Sequence, residues 1–227
     1  MKKMRAFAAC LLPVVAVIYL VVGNLNGKTE LSVAAVEDNT IVKTVTPPLL
    51  ATDTAELYGK ADEAFTFCEK KGVNTDFCIL IDMKVHSGKY RMFIWDFNTR
   101  QVEHKALCAH GCGKDEKQST GDMPLFSNIS GSLLSSLGRY KTGERSYSQY
   151  GTHVHYKMHG LDSTNSRAFK RLIVLHAHTP VPAAEIYPVH LPMGWSFGCP
   201  VTDNATMTYL DKKLKMSKKP VLIWIYY

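Results

Sequence analysis

From Phe77 onward the hydrophobic pattern changes from a helical period to a period of two, and the apolar runs become short and rich in β-branched residues. The segments FCILIDMKV and YRMFIWDF, separated by the turn HSGK, predict a hairpin of two strands. VEHKALCAH predicts a third strand, and HVHYKMHG and RLIVLHAH two more. The final run KPVLIWIYY is so uniformly apolar that it has to be a strand buried in a sheet. A mainly β domain with a few helices follows.

Two helices complete the pattern. One is predicted over Thr54–Lys71, with Asp53 as N-cap and Glu56 at N3, Leu57, Ala61, Ala64, Phe65 and Cys68 at helical spacing, and Lys70, Lys71 and Gly72 as the stop. The other fits NATMTYLDKKLKM near the C-terminus. Between the strands, residues 111–151 are dense in Gly, Ser, Asn and Thr; they read as a long functional loop that lids or walls a site.

The N-terminus predicts a compartment. MKKMR is basic, and Ala6–Gly23 carries no charge, which reads as a signal peptide or a membrane anchor over residues 1–23 with the rest of the chain exported. Residues 24–52, with Pro47 and Pro48, read as a linker, so that the folded domain covers 53–227. The formal net charge of +7 suits an anionic partner. No arginine-rich tract or nucleic-acid motif accompanies it, so nucleic acid is not expected. Membrane contact is expected only through residues 1–23, and the chain is expected to be a monomer.

Within GWSFGCPVTD, Cys199 stands between Gly198 and Pro200, so flexibility is followed at once by a fixed φ and a missing donor. Such a bend presents a thiol, although a small buried hydrophobe or half of a disulfide would read the same way in isolation. Attack of a thiolate on a peptide carbonyl needs an imidazole to take the thiol proton and to return it to the leaving amine. His176 precedes Cys199 across the proline-rich stretch TPVPAAEIYPVHLPMGW and is positioned for that task; His178 lies on the same strand face and is its rival. The amides of Gly198 and Cys199 are candidates for an oxyanion hole.

The series AHGCG (109–113), PLFSN (124–128), GSLLSSLGRY (131–140), YGTHVHYKMHGLD (150–162), IVLHAH (173–178) and SFGCP (196–200) resembles the murein L,D-transpeptidase catalytic domain family, a divergent branch of the YkuD-type cysteine transpeptidases. The resemblance implies a β-sandwich-like catalytic domain and a Cys199 nucleophile, with His176 as base oriented by the carbonyl of Ala177. Ser196 and Gly198 then occupy motif positions beside the thiol. Better-known members carry a histidine directly before the motif glycine, where this chain has Phe197.

The resemblance further implies that stem peptides of peptidoglycan are the substrate and that no cofactor is required. The acyl group of a tetrapeptide would pass to a neighbouring stem, giving a cross-link, or to water, trimming the stem. His110, Ser127, Asn128, Ser135, Ser136 and Trp195 are expected on the substrate side, with Arg139, Lys141, Arg167 and Arg171 as candidate carboxylate clamps. Two alternatives stand beside this reading: a zinc hydrolase using His153, His155 and His159, or a non-catalytic wall-binding module. Cys68, Cys78, Cys108 and Cys112 are either reduced core residues or up to two disulfides.

Overall fold

A computed structural model describes residues 41–43, 48–115, 119–121, 123–192 and 194–227. The expected leader or anchor, residues 1–23, lies outside the described residues, as does most of the expected linker. Among the described residues no helix is long and apolar enough to cross a membrane.

The chain forms strands β1 (Ile41–Lys43), β2 (Phe77–Asp82), β3 (Met92–Asp96), β4 (Gln101–Ala106), β5 (Leu125–Ser127), β6 (Gly138–Tyr147), β7 (Val154–Gly160), β8 (Val174–Ala177), β9 (Val201–Thr202) and β10 (Leu222–Tyr226). Helices α1 (Thr54–Lys71) and α2 (Asn204–Met216) complete the described elements, with a short 3-10 turn at Ser163–Asn165. Eight of the strands make one mixed sheet in the order β4-β3-β2-β10-β6-β7-β8-β9, and β1 pairs with β5 in a small ribbon. The mainly β reading holds. The ribbon and the hydrogen bond from the Leu49 amide to the Lys84 carbonyl (2.8 Å) show that part of the expected linker packs on the domain.

Strand alternation sets the two faces of the sheet. Ile79, Ile81, Ile94, Ile223, Ile225, Tyr140, Tyr156 and Leu175 point to one side, where Met207, Leu210 and Leu214 of α2 join them in the larger core. Cys78, Leu80, Phe93, Trp95, Leu222 and Tyr226 point to the other side and are covered by Leu57, Ala61, Ala64 and Cys68 of α1. Helix α1 begins and ends where its residues dictate: the Asp53 carboxylate accepts the Glu56 amide (2.9 Å), and Gly72 closes it at φ 65°. The α1-covered face continues across β6 to β7 and β8, where the helix no longer reaches. There His155 and His176 stand opposite each other across the strand pair.

Two expectations change. Residues 111–151 are not one long loop, because they contain β5 and the ten-residue β6, which lies between β10 and β7 near the middle of the sheet. Cys68, Cys78, Cys108, Cys112 and Cys199 are all free thiols, and the first four are buried, so the disulfide alternative is not realised. Burial pushes the Cys68 thiol up to about 12 and Cys108 to about 11, which makes both poor nucleophiles.

Candidate active site

The bend at Cys199 is held by its own serine. The Ser196 hydroxyl accepts the Gly198 amide (3.1 Å) and donates to the Cys199 carbonyl (2.5 Å), closing a small ring around the turn. Gly198 sits at φ 117°, a conformation that excludes a side chain, and a Cβ there would meet the Leu134 carbonyl at 2.8 Å. Because the Gly198 amide is committed to Ser196, it does not point into an oxyanion hole. Of the two expected donors only the Cys199 amide has no partner among the described residues.

The segment AHGCG is the floor under this bend. Ala109 and Val201 exchange backbone hydrogen bonds, the Cys112 amide donates to the Ser196 carbonyl (3.1 Å), and Gly111 lies so close that a Cβ would reach the Gly198 nitrogen at 2.8 Å. Ser135 links both: it accepts the Gly111 amide and donates to the Gly198 carbonyl, each at 3.0 Å. His110 is buried behind the floor, where its Nδ1 accepts from the Arg91 guanidinium (2.9 Å). Burial and that cation push His110 down to about 3.

Cys199 opens on a cavity of about 490 Å³ whose lining includes Tyr150, His155, His176, His178, Trp195 and Phe197. The Nδ1–H of His176 donates to the Ala177 carbonyl (2.9 Å), since a carbonyl can only accept. This fixes the tautomer and leaves the lone pair on Nε2. Burial, and then the neighbouring His178 and His155, keep the His176 pKa below its ordinary value, against the pull of Ala177, so the imidazole rests neutral. No hydrogen bond joins the Cys199 sulfur to His176 in this state. The sulfur takes the Val174 amide instead (3.4 Å). Cys199 and His176 nevertheless line the same cavity. Burial raises the Cys199 thiol, while the Val174 amide and Arg171 pull it back.

The expected residues divide by position. Cys199, His176, Ser196 and Trp195 line the cavity, and His178 does too. His110, Ser127, Asn128, Ser135 and Ser136 are buried behind it rather than facing it. Asn128, for example, donates to the Ser163 carbonyl and the Ser166 hydroxyl and accepts the Arg167 amide, so it staples two loops together. Arg139 is not a free clamp: it forms a bidentate pair with Asp162 (2.6 and 3.0 Å) and stacks on Phe67. Arg171 is likewise engaged, by backbone carbonyls and serine hydroxyls. Among the described residues, the cavity lining contains no lysine, arginine or carboxylate. His155, opposite His176 across β7 and β8, and Tyr150, in the bend between β6 and β7, also line the cavity, although neither was expected on the substrate side; only His155 carried a signal, its place on the strand face of His176.

The three histidines of the zinc alternative do not converge. His153 lies in a turn at φ 59° and stacks on Tyr147, His155 faces the cavity, and His159 stacks on Phe169. Among the described residues no group of three His, Cys, Asp or Glu side chains could hold a metal ion.

Comparison with curated protein sequences returned no match. Solved structures are similar at low identity. An L,D-transpeptidase of Xylanimonas cellulosilytica is 11% identical with a TM-score of 0.37 (71% of this chain, 68% of that one). Bd1075 of Bdellovibrio bacteriovorus is 18% identical with a TM-score of 0.37 (69% and 49%). The helical cell shape determining protein Pgp2 of Campylobacter jejuni is 12% identical with a TM-score of 0.44 (74% and 55%). The chain thus spans about half the length of the last two. The profile of the YkuD-type L,D-transpeptidase catalytic domain matches residues 52–226, nearly all of the folded part. The chain belongs to the L,D-transpeptidase catalytic domain family.

Proposed function

We propose that the protein is an exported peptidoglycan L,D-transpeptidase that works through an acyl-enzyme on Cys199, with His176 as the base. The observation that carries this reading is the shared cavity: one thiol on a rigid bend and one imidazole whose tautomer is fixed with Nε2 unprotonated.

Rotation of the thiol towards Nε2 lets the imidazole take its proton. The thiolate attacks the carbonyl of the third stem residue, a C–S bond forms, and the Cys199 amide donates to the oxyanion. The imidazolium then returns its proton to the departing nitrogen as the C–N bond breaks and D-alanine leaves. An amine of a neighbouring stem, or water, attacks the thioester, gives its proton to His176, and frees the thiol. Ser196 keeps the bend rigid, and the aromatic and imidazole walls accept the peptide backbone by contact rather than by ion pairing.

Release of D-alanine from a purified disaccharide tetrapeptide tests the reading. The wild-type chain should release it, Cys199→Ala should not, and His176→Ala should be slower by at least about a hundredfold. Release by Cys199→Ala at the wild-type rate would overturn the proposal.

A further inference from the structure

A fixed cation is built into the wall behind the thiol. The Arg171 guanidinium donates through NH1 to the Ser127 carbonyl (2.8 Å) and the Ser136 hydroxyl (2.5 Å). Through NH2 it donates to the Ser132 hydroxyl (3.3 Å) and to the Leu134 carbonyl. These acceptors all lie between residues 127 and 136, the tract whose serines also brace Gly111 and Gly198. The same NH2 lies 3.3 Å from where a Cβ on Gly198 would stand, and the Leu134 carbonyl touches that position as well. Arg171 therefore meets the nucleophile bend directly, across a gap that only glycine leaves open. The chain then turns sharply, with Leu172 at φ 58°, so that the amide of Val174 comes round to the Cys199 sulfur.

We infer that Arg171 is a positioning residue for the reaction: its guanidinium clasps the 127–136 tract against the Gly198 bend and keeps a permanent positive charge beside the Cys199 sulfur. The inference rests on the reading of Cys199 as nucleophile. It assigns Arg171 a task that His176 cannot perform at rest, because a buried neutral imidazole contributes no standing charge. A guanidinium remains protonated at any pH of interest, and half-buried charges act over short distances with little screening. The other titratable groups around the sulfur are imidazoles and phenols: His176 from β8 and His178 just after it, His155 from β7, Tyr147 at the end of β6 and Tyr150 beyond it, and Tyr140 from β6, whose hydroxyl donates to the Ser136 carbonyl. Burial holds His176 and His155 below the ordinary imidazole value, so neither is a competing cation at neutral pH.

The test reads the pH midpoint of iodoacetamide labelling at Cys199 by peptide mass spectrometry, with thermal melts recorded for each variant. Arg171→Gln should raise the midpoint by about one pH unit, because a buried thiolate loses its nearby opposite charge. Arg171→Lys retains charge but cannot bridge several acceptors at once, so its midpoint should stay within about 0.3 unit of wild type while turnover falls about tenfold or more. A merely structural arginine would give equal midpoints in all three folded proteins, and that result overturns the inference. If Arg171→Gln does not fold, Arg171→Met, which removes the charge but keeps an apolar stem, takes its place: a midpoint raised by about one unit supports the charge role, and a midpoint equal to those of wild type and Arg171→Lys refutes it. Labelling needs no muropeptide, so a wild-type chain that never releases D-alanine would defeat the proposed function while leaving these midpoints to judge Arg171 separately.

Discussion

At the scale of single residues, the site depends on a few atoms around the bend at Gly198. Replacing Gly198 with alanine forces a side chain into a left-handed φ and onto the Leu134 carbonyl, so we expect a loss of stability of about 2 kcal/mol or more and no acyl-enzyme. A chemical melt with an activity assay checks it. Ser196→Ala removes two hydrogen bonds but leaves the backbone allowed; it should cost about 1–2 kcal/mol and slow turnover about tenfold without moving the alkylation midpoint. Phe197 is 62% exposed at the cavity mouth and has no proton to exchange, so Phe197→Ala should keep the same midpoint. The position that most sharply separates this chain from better-known relatives thus contributes surface rather than acid–base chemistry. That Cys199 and His176 share one cavity was legible because the motifs that carry them were read together, each residue alone having other uses. The buried serines were not, because composition marks a segment as polar without saying which way its hydroxyls point. Ser135 and Ser136 read as substrate contacts and are internal struts.

At the scale of elements, the strands that sequence pattern reads best are those with an undivided apolar identity. β2, β3 and β10 lie at the core of the sheet with both faces covered, so their residues are apolar up to the aspartates that end β2 and β3. β6 carries GRYKTGERSY, and only Tyr140 and Thr142 of it are buried, with a register shift between Thr142 and Arg145. A charged strand with an interrupted period looks like a loop, and its place between β10 and β7 comes from tertiary pairing. The strand-to-floor segment after β4 makes a pH prediction. His110 stays neutral down to about pH 3 in the fold because it is buried and a proton there would also face Arg91, while an unfolded histidine takes one near 6.5. The unfolded state therefore binds the extra proton, and stability should fall by up to a few kcal/mol as pH drops from about 6.5 to 3. His110→Gln, which keeps an acceptor for Arg91, should flatten that slope by about one proton. Denaturation curves at several pH values measure it, and an unchanged slope would show that His110 is not held neutral.

At the scale of the whole molecule, one sheet serves two purposes. Its α2-facing side is continuous core, and its opposite side is core where α1 covers it and lines the Cys199 cavity where α1 stops. The order of strands explains why the chain's ends matter to the middle: β10 is the last strand yet pairs with both β2 and β6, joining the α1 half to the catalytic half. No local pattern encodes that parallel β2–β10 pairing, whereas the family motifs, kept in order along the chain, did indicate the domain. Helix α1 should therefore be a condition for the site's integrity. Ala64 is fully buried against the sheet, and Ala64→Leu should cost about 1–3 kcal/mol by overpacking while leaving the residual folded fraction with a normal alkylation profile at Cys199. The central claim is that the cavity houses a cysteine nucleophile activated by His176. Intact-protein mass spectrometry after incubation with a carbapenem, followed by peptide mapping, tests it most directly. The account predicts one covalent adduct, located on Cys199, that forms much more slowly in His176→Ala and is absent in Cys199→Ala. An adduct on another residue, or adduct formation at the wild-type rate without His176, would contradict it.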